Sequence, residues 1–127
     1  MSQDRKEPCV FVVDDEPILA KTLAMIIRTQ GFQAHSFVLP IEALRTAREI
    51  PPDMLIADVV MPHLSGIDLA IQIRKLCPNC KVILFSGQAE TADFLAIAEA
   101  SGHDFELLTK PVHPADILKR LRAEFDV

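Results

Sequence analysis

CVFVVDDEP, residues 9–17, decides the fold. Its first five residues are a continuous apolar run of strand length, rich in Val. Such a run suits a strand buried on both faces, as in a parallel sheet. Asp14, Asp15, Glu16 and Pro17 end it abruptly. Proline fits the first turn of a helix, and acids suit a helix N-terminus. Ile18, Leu19, Leu23, Ile26 and Ile27 then recur at helical spacing, and Gly31 stops the helix.

The same strand-then-helix unit recurs along the chain. Further strands are expected over residues 33–37, 54–57, 81–85 and 105–108. A second helix enters through Pro40 and carries Ile41, Ala43, Leu44 and Ala47. A third runs from Ile67 to about Leu76, and a fourth spans 91–101 with Gly102 closing it. The last starts at Pro114 and aligns Ile117, Leu118, Leu121 and Phe125 on one face. Five strands alternating with five helices through short loops mean a parallel sheet covered by helices on both faces. The expected architecture is α/β, a (βα)5 arrangement around a five-stranded parallel sheet. The 127 residues suit one domain, 1–127 with a core of about 9–125. The final helix runs to the end of the sequence, so no output domain is expected within it.

Half the residues are apolar and about a quarter charged, the composition of a soluble globule. Thirteen basic against eighteen acidic residues give a net charge of −5. That balance argues against nucleic acid or an anionic membrane as partner. No apolar run approaches the ~20 residues of a membrane span. The opening MSQDRKEP is polar and lacks the apolar stretch of a signal peptide. Three cysteines are a poor disulfide framework and point to free thiols in a reducing cytoplasm.

Ligands of open α/β sheets sit outside the carboxyl ends of the strands. Here those ends carry Asp14 and Asp15, Asp58, Ser86 and Lys110. Singly, each has an ordinary reading: an acidic helix entry, a turn serine, a surface lysine. Their shared placement is the signal. Three clustered carboxylates repel one another, and Lys110 offsets only one charge. A hard divalent cation with oxygen ligands cancels the remainder, and Mg²⁺ fits because it binds one or two carboxylates plus waters and phosphate oxygens. An aspartate beside such an ion is a known nucleophile for phosphoryl transfer. Ser86 and Lys110 are placed to contact phosphoryl oxygens.

VVDDEP, the Asp58 strand end followed by MPHLSG, then LFSG and the Lys110-Pro111 pair closely resemble the receiver domain of two-component response regulators. The resemblance covers about residues 9–125, and five motifs in one order are highly specific. It implies a flavodoxin-like (βα)5 fold with strand order 2-1-3-4-5. It implies that Asp58 takes a phosphoryl group from a phosphohistidine on a sensor histidine kinase or histidine phosphotransfer protein. Asp14, Asp15, Asp58 and the backbone carbonyl of Val60 would hold Mg²⁺, with Asp14 acting largely through metal-bound water. Ser86 and Lys110 would contact the phosphoryl group, and Gly87 would leave the donor an open approach. The new charge would bias a two-state equilibrium that switches binding to a downstream protein. No outside substrate is turned over in this scheme; the domain assists only its own phosphorylation and hydrolysis.

Two departures matter. Family members usually carry Tyr or Phe three residues before the lysine, where this chain has Leu107. Phe105 lies five before it and shares the face of Leu107 in a regular strand. The stretch from Gly102 to Lys110 is one residue longer than the common form, which raises a bulge or a shifted register as an expectation. Signalling would then rely on backbone and loop movement, or on Phe105. Val60 and Gln88 occupy positions that tune phosphate lifetime in the family.

Three rival readings compete. A phosphate-independent interaction module would not need Asp58 and Lys110 intact. An aspartyl-phosphate phosphatase usually shows D-x-D, but two residues after Asp58 stands Val60. A flavin binder would want a Ser/Thr/Gly phosphate loop after the first strand, where this chain has DDEP. Cys77 and Cys80 form C-x-x-C, but they follow a helix instead of opening one, so no helix N-terminus lowers a thiolate pKa. Structural thiols or turn residues are the better reading than a redox motif or half a zinc site. His63 reads as a solvated loop residue, and the other histidines show no metal-ligand spacing.

Overall fold

The computed structural model describes residues 7–87, 96, 99–100 and 102–125. Five parallel strands form one sheet in the order β2-β1-β3-β4-β5: β1 (Cys9–Val13), β2 (Gln33–Phe37), β3 (Met54–Asp58), β4 (Lys81–Ser86) and β5 (Glu106–Thr109). Four helices are described: α1 (Pro17–Arg28), α2 (Pro40–Glu49), α3 (Gly66–Leu76) and α4 (Pro114–Phe125). Residues 96, 99 and 100, within the helix expected over 91–101, are helical; the rest of that stretch and Gln88 lie outside the described residues.

The burial of each strand follows its place in the sheet. β1 and β3 are inner strands with every residue buried, and they are apolar on both faces up to Asp58, the last residue of β3. β2 and β5 are edges and tolerate Gln33, His35, Glu106 and Thr109. Cys9, Phe11 and Val13 pack with Ala43, Leu44, Leu69 and Ile73 under α2 and α3. Val10 and Val12 pack with Ala20, Ala24, Ile27, Ile117 and Leu121 under α1 and α4. Small alanines on the sheet-facing stripe of α1 let that helix lie close to the strands. Each large core side chain, such as Phe11 or Leu84, contributes about 2 kcal/mol by leaving water.

The helix ends match the punctuation in the sequence. Pro17 and Pro40 open α1 and α2. Gly31 follows α1 with φ +92°, a left-handed position that glycine occupies without a Cβ penalty. α3 starts one residue earlier than expected, because Ser65 caps it: the Ser65 hydroxyl oxygen accepts the Asp68 N–H at 3.1 Å. β5 starts and ends one residue later than expected. Its pairing with β4 runs without interruption from Ile83–Glu106 to Ser86–Thr109, so the expected bulge is absent from the strand. Residues 103–105, leading into the strand, have no regular secondary structure.

Candidate functional site

Strand register, not sequence proximity, assembles the site. Val13 pairs with Ala57, so the next residues, Asp14 and Asp58, emerge side by side. Asp58 pairs with Phe85, which puts Ser86 one step beyond it. Ser86 pairs with Thr109, and the Lys110 N–H donates to the Ser86 carbonyl at 3.1 Å. All the side chains expected at the strand ends therefore arrive at one edge. The Lys110–Pro111 peptide is cis.

Asp14 and Asp58 are buried, at 3% and 6% exposure, while Asp15 stands exposed at the mouth. One carboxylate oxygen from each of the three lies within 4.8 Å of the others. Among the described residues this is the one group of three or more acids, histidines and cysteines close enough to share an ion. Lys110 Nζ donates to Asp58 Oδ2 at 2.9 Å. The Asp58 Oδ1 atom lies 3.4 Å from the Val60 N–H, a long contact. Ser86 is buried at 4% exposure beside this pair.

The crowding shows in the protonation of the group. Burial pushes the Asp14 carboxyl above the ordinary carboxylate range. The Glu16 N–H, which donates to Asp14 Oδ1 at 3.0 Å, opposes that rise. The charges of Asp58 and Asp15 add to it, and Lys110 works against it. Burial acts to lower the Lys110 ammonium, but its bond to Asp58 and the charges of Asp58, Asp14 and Glu16 outweigh that and hold it above its usual value. One lysine thus serves a pocket with more negative charge than it can neutralise. An all-oxygen donor set with an excess of anionic charge fits a small hard dication.

The loop after Asp58 is tightly folded. The Leu64 N–H donates to the Pro62 carbonyl at 2.8 Å across His63, whose φ of 73° lies in the left-handed region. His63 is exposed, as expected of a solvated loop residue. The chain then returns to Asp58 through Gly66, whose N–H donates to the Val59 carbonyl at 2.9 Å. A Cβ on Gly66 would sit 2.2 Å from the Asp58 carbonyl oxygen. Sequence reasoning missed this residue, although a glycine directly after a helix cap is a signal of close backbone approach. Gly87 is different: it is exposed, and a Cβ there would make an ordinary 3.8 Å contact with the Lys110 Cβ.

Leu107, at the family's usual aromatic position, packs against the core on the α2–α3 side, and Phe105 is buried in that same core. Phe105 is fixed from two directions. The Arg74 guanidinium lies 4.9 Å from its ring centroid, and the His103 ring stacks at 5.4 Å.

An apolar cleft of about 550 Å³ opens from Asp14 and Lys110 between α1 and α4, with Leu19, Leu23, Ile26, Val112 and Ile117 in its walls. Elsewhere on α1, Ile18 is 79% exposed. Exposed apolar surface is typical of interaction sites. No described helix is long and apolar enough to cross a membrane.

Comparison with known proteins agrees with this geometry. Residues 10–122 match the model of the response regulator receiver domain. The chain belongs to that family. Over 120 residues, 94% of this chain and 50% of the relative, it is 33% identical to the probable transcriptional regulatory protein TcrX of Mycobacterium tuberculosis. It is 34% identical to the transcriptional regulatory protein KdpE of the same species, over 90% of this chain and 49% of that one. The chain thus spans about half the length of these curated relatives. A CheY-like receiver domain from Methanospirillum hungatei superposes with a TM-score of 0.84 at 22% identity, covering 95% of both chains, which shows the shared fold. The receiver domain of the Francisella response regulator 1452 gives 0.79 at 28% identity, over 94% of this chain and 98% of that one. Other relatives are DNA-binding response regulators. The exclusion of nucleic acid drawn from net charge is therefore withdrawn, since it speaks only for the charge of these residues.

Proposed function

We propose that Asp58 is the phosphoacceptor of a two-component relay. The observation that carries this reading is the Asp58–Lys110 contact of 2.9 Å inside a cluster of three carboxylates. An Asp58 carboxylate oxygen attacks phosphorus in line, the P–N bond of a phosphohistidine breaks, and the departing imidazole takes up a proton. A new acyl phosphate remains on Asp58. Lys110 moves from neutralising the carboxylate to pairing with a phosphoryl oxygen, and the buried Ser86 hydroxyl is one strand away to donate a hydrogen bond. Mg²⁺, held by Asp14, Asp15, Asp58 and the Val60 carbonyl, would supply charge neutralisation for the incoming phosphoryl oxygens.

The donor is a protein, a sensor histidine kinase or a histidine phosphotransfer protein. The exposed apolar surface of α1 and the cleft beside the acids support a protein donor over a small phosphate ester. The domain passes its state to a downstream protein and turns over no outside substrate.

The test is self-labelling with acetyl phosphate and Mg²⁺, followed by intact mass because the chain has no Trp or Tyr to report by fluorescence. Wild type should gain one phosphoryl group, and Asp58→Asn none. Equal labelling of the mutant would overturn the acceptor assignment. An unlabelled wild type would favour a phosphate-independent module, and steady release of product from a phosphate ester would favour a phosphatase.

A further inference from the structure

The acid pocket makes no use of the Cys77–Cys80 pair, which lies at the opposite end of the sheet. Cys77 caps the end of α3, and Cys80 immediately precedes β4. Between them the chain makes a turn closed by the Cys80 N–H, which donates to the Cys77 carbonyl at 3.0 Å. Such a turn holds its first and fourth Cα atoms within about 7 Å, and a disulfide needs roughly 4.4–6.8 Å. Both ends are already pinned to α3. The Cys77 N–H donates to the Ile73 carbonyl at 2.7 Å, and Arg74 Nε donates to the Cys80 carbonyl at 3.0 Å. Pro78 stiffens the turn from inside. The two thiols are free, and little backbone freedom remains to be lost by joining them.

We propose that Cys77 and Cys80 are a modification site: an intramolecular disulfide formed by exchange with a low-molecular-weight disulfide. Cys77 is half-buried and Cys80 is 2% exposed, so Cys77 meets the oxidant first. Its thiolate attacks one sulfur of the oxidant, the oxidant's S–S bond breaks, and one small thiol leaves. Cys80, whose Sγ lies 3.4 Å from the Lys81 carbonyl, then loses its proton and attacks Cys77 Sγ, releasing the second small thiol. The pair gives up two electrons and two protons, and the oxidant becomes two thiols.

The surroundings suit a persistent bond over a fast-exchanging one. Burial pushes the Cys80 thiol to about 12, with the charges of Cys77 and Asp53 adding to the rise and Arg74 opposing it. Burial and Asp53 also raise Cys77. Catalytic dithiols are oxidising because their reduced form is stabilised as thiolate, and this environment does the reverse. Cys9 is the internal competitor. It too lies beside Asp53, but its own thiol is buried and raised to about 11.

The experiment uses the 127-residue chain and oxidised glutathione as probe, with alkylation of remaining thiols after unfolding and intact mass as readout. Wild type should lose two hydrogens and keep one alkylatable cysteine, mapped to Cys9. Its melting temperature should rise by about 5 °C, and dithiothreitol should reverse both changes. Cys9→Ser should behave as wild type. Cys77→Ser, at the more exposed position, should show no two-hydrogen loss, and Cys80→Ala should agree. A linkage that includes Cys9, a glutathione adduct that stays on Cys77, or a pair that remains reduced would each overturn the proposal. Labelling at Asp58 should be the same before and after oxidation, so this result stands apart from that of the phosphotransfer test.

Discussion

The two ends of the sheet are built on opposite rules. At the amino end the charged groups are tied into the backbone. The Asp53 carboxylate accepts the Cys9 N–H at 2.8 Å, its own N–H donates to the Cys9 carbonyl at 2.7 Å, and its carbonyl accepts the Lys81 N–H at 3.0 Å. One residue thereby joins the starts of β1, β3 and β4. At the carboxyl end three carboxylates share a single ammonium, and two of them are buried. Local rules of charge pairing are satisfied at one end and broken at the other. Such violations concentrate where function requires them.

The contrast breaks most sharply at Gly66. Replacing it with Ala forces a Cβ to 2.2 Å from the Asp58 carbonyl, and the opposing atoms are backbone, which cannot swing aside. Gly66→Ala should slow labelling of Asp58 by about 100-fold, because misplacement of order 1 Å carries that penalty. Overpacking should also lower stability by about 2 kcal/mol in urea unfolding. A variant that labels at the wild-type rate would mean that β3 and α3 can separate without moving the acceptor.

At the amino end the expected result is the converse. Asp53→Ala leaves the Cys9 N–H without its carboxylate acceptor and should reduce stability by about 1.5 kcal/mol. The initial rate of Asp58 labelling should stay at the wild-type level, since the strand register that places Asp58 persists. A loss of labelling at unchanged stability would show that the two ends are coupled.

Removing charge at the carboxyl end should stabilise. Asp14→Asn, measured without divalent ions, relieves repulsion among the three carboxylates and should gain about 1 kcal/mol near neutral pH. The sign of the pH dependence follows from the raised Asp14 carboxyl. Because the folded state binds that proton more tightly than the unfolded chain, wild-type stability falls as pH rises through the window from the ordinary carboxylate value to the raised one. The advantage of Asn is therefore largest above that window and shrinks as the pH drops through it. A destabilised Asp14→Asn at neutral pH would mean that the Glu16 N–H bond to Asp14 outweighs the repulsion.

Most of the carboxyl end was legible in the sequence. Acids at abrupt strand ends, Pro17 and Pro40 at helix starts and Gly31 at a stop are local signals. The alternation of strand and helix carries the parallel sheet, and the motif resemblance carries the strand order. The strand β5 was misplaced by one residue because Phe105 is apolar and buried like a strand residue, yet it sits in the approach beneath Arg74. Gly66 went unread because its close approach depends on where α3 meets β3, while the local S-x-x-D capping signal at Ser65 was overlooked. The amino-end network was invisible for a related reason. Asp53 and Cys9 are far apart in sequence, and only the β1–β3 register makes them partners.

The smallest expected effect separates bonded charge from surface charge within the amino end itself. Arg74 reaches Asp104 at 3.0 Å, but the Asp104 side chain is almost wholly exposed. Its hydrogen bond from Arg74, then the guanidinium charge, holds the Asp104 carboxyl below the ordinary range. Any stability from that shift is present above the ordinary carboxylate value and is lost as pH falls through the lowered one. Water and salt screen a pair so exposed. Asp104→Asn should shift the urea midpoint less than Asp53→Ala does, and added salt should erase what shift there is. Arg74 keeps its bond to the Cys80 carbonyl and its place over Phe105 without Asp104. If Asp104→Asn proved as damaging as Asp53→Ala, the strength of the amino end would lie in surface ion pairing and not in carboxylates bonded to backbone.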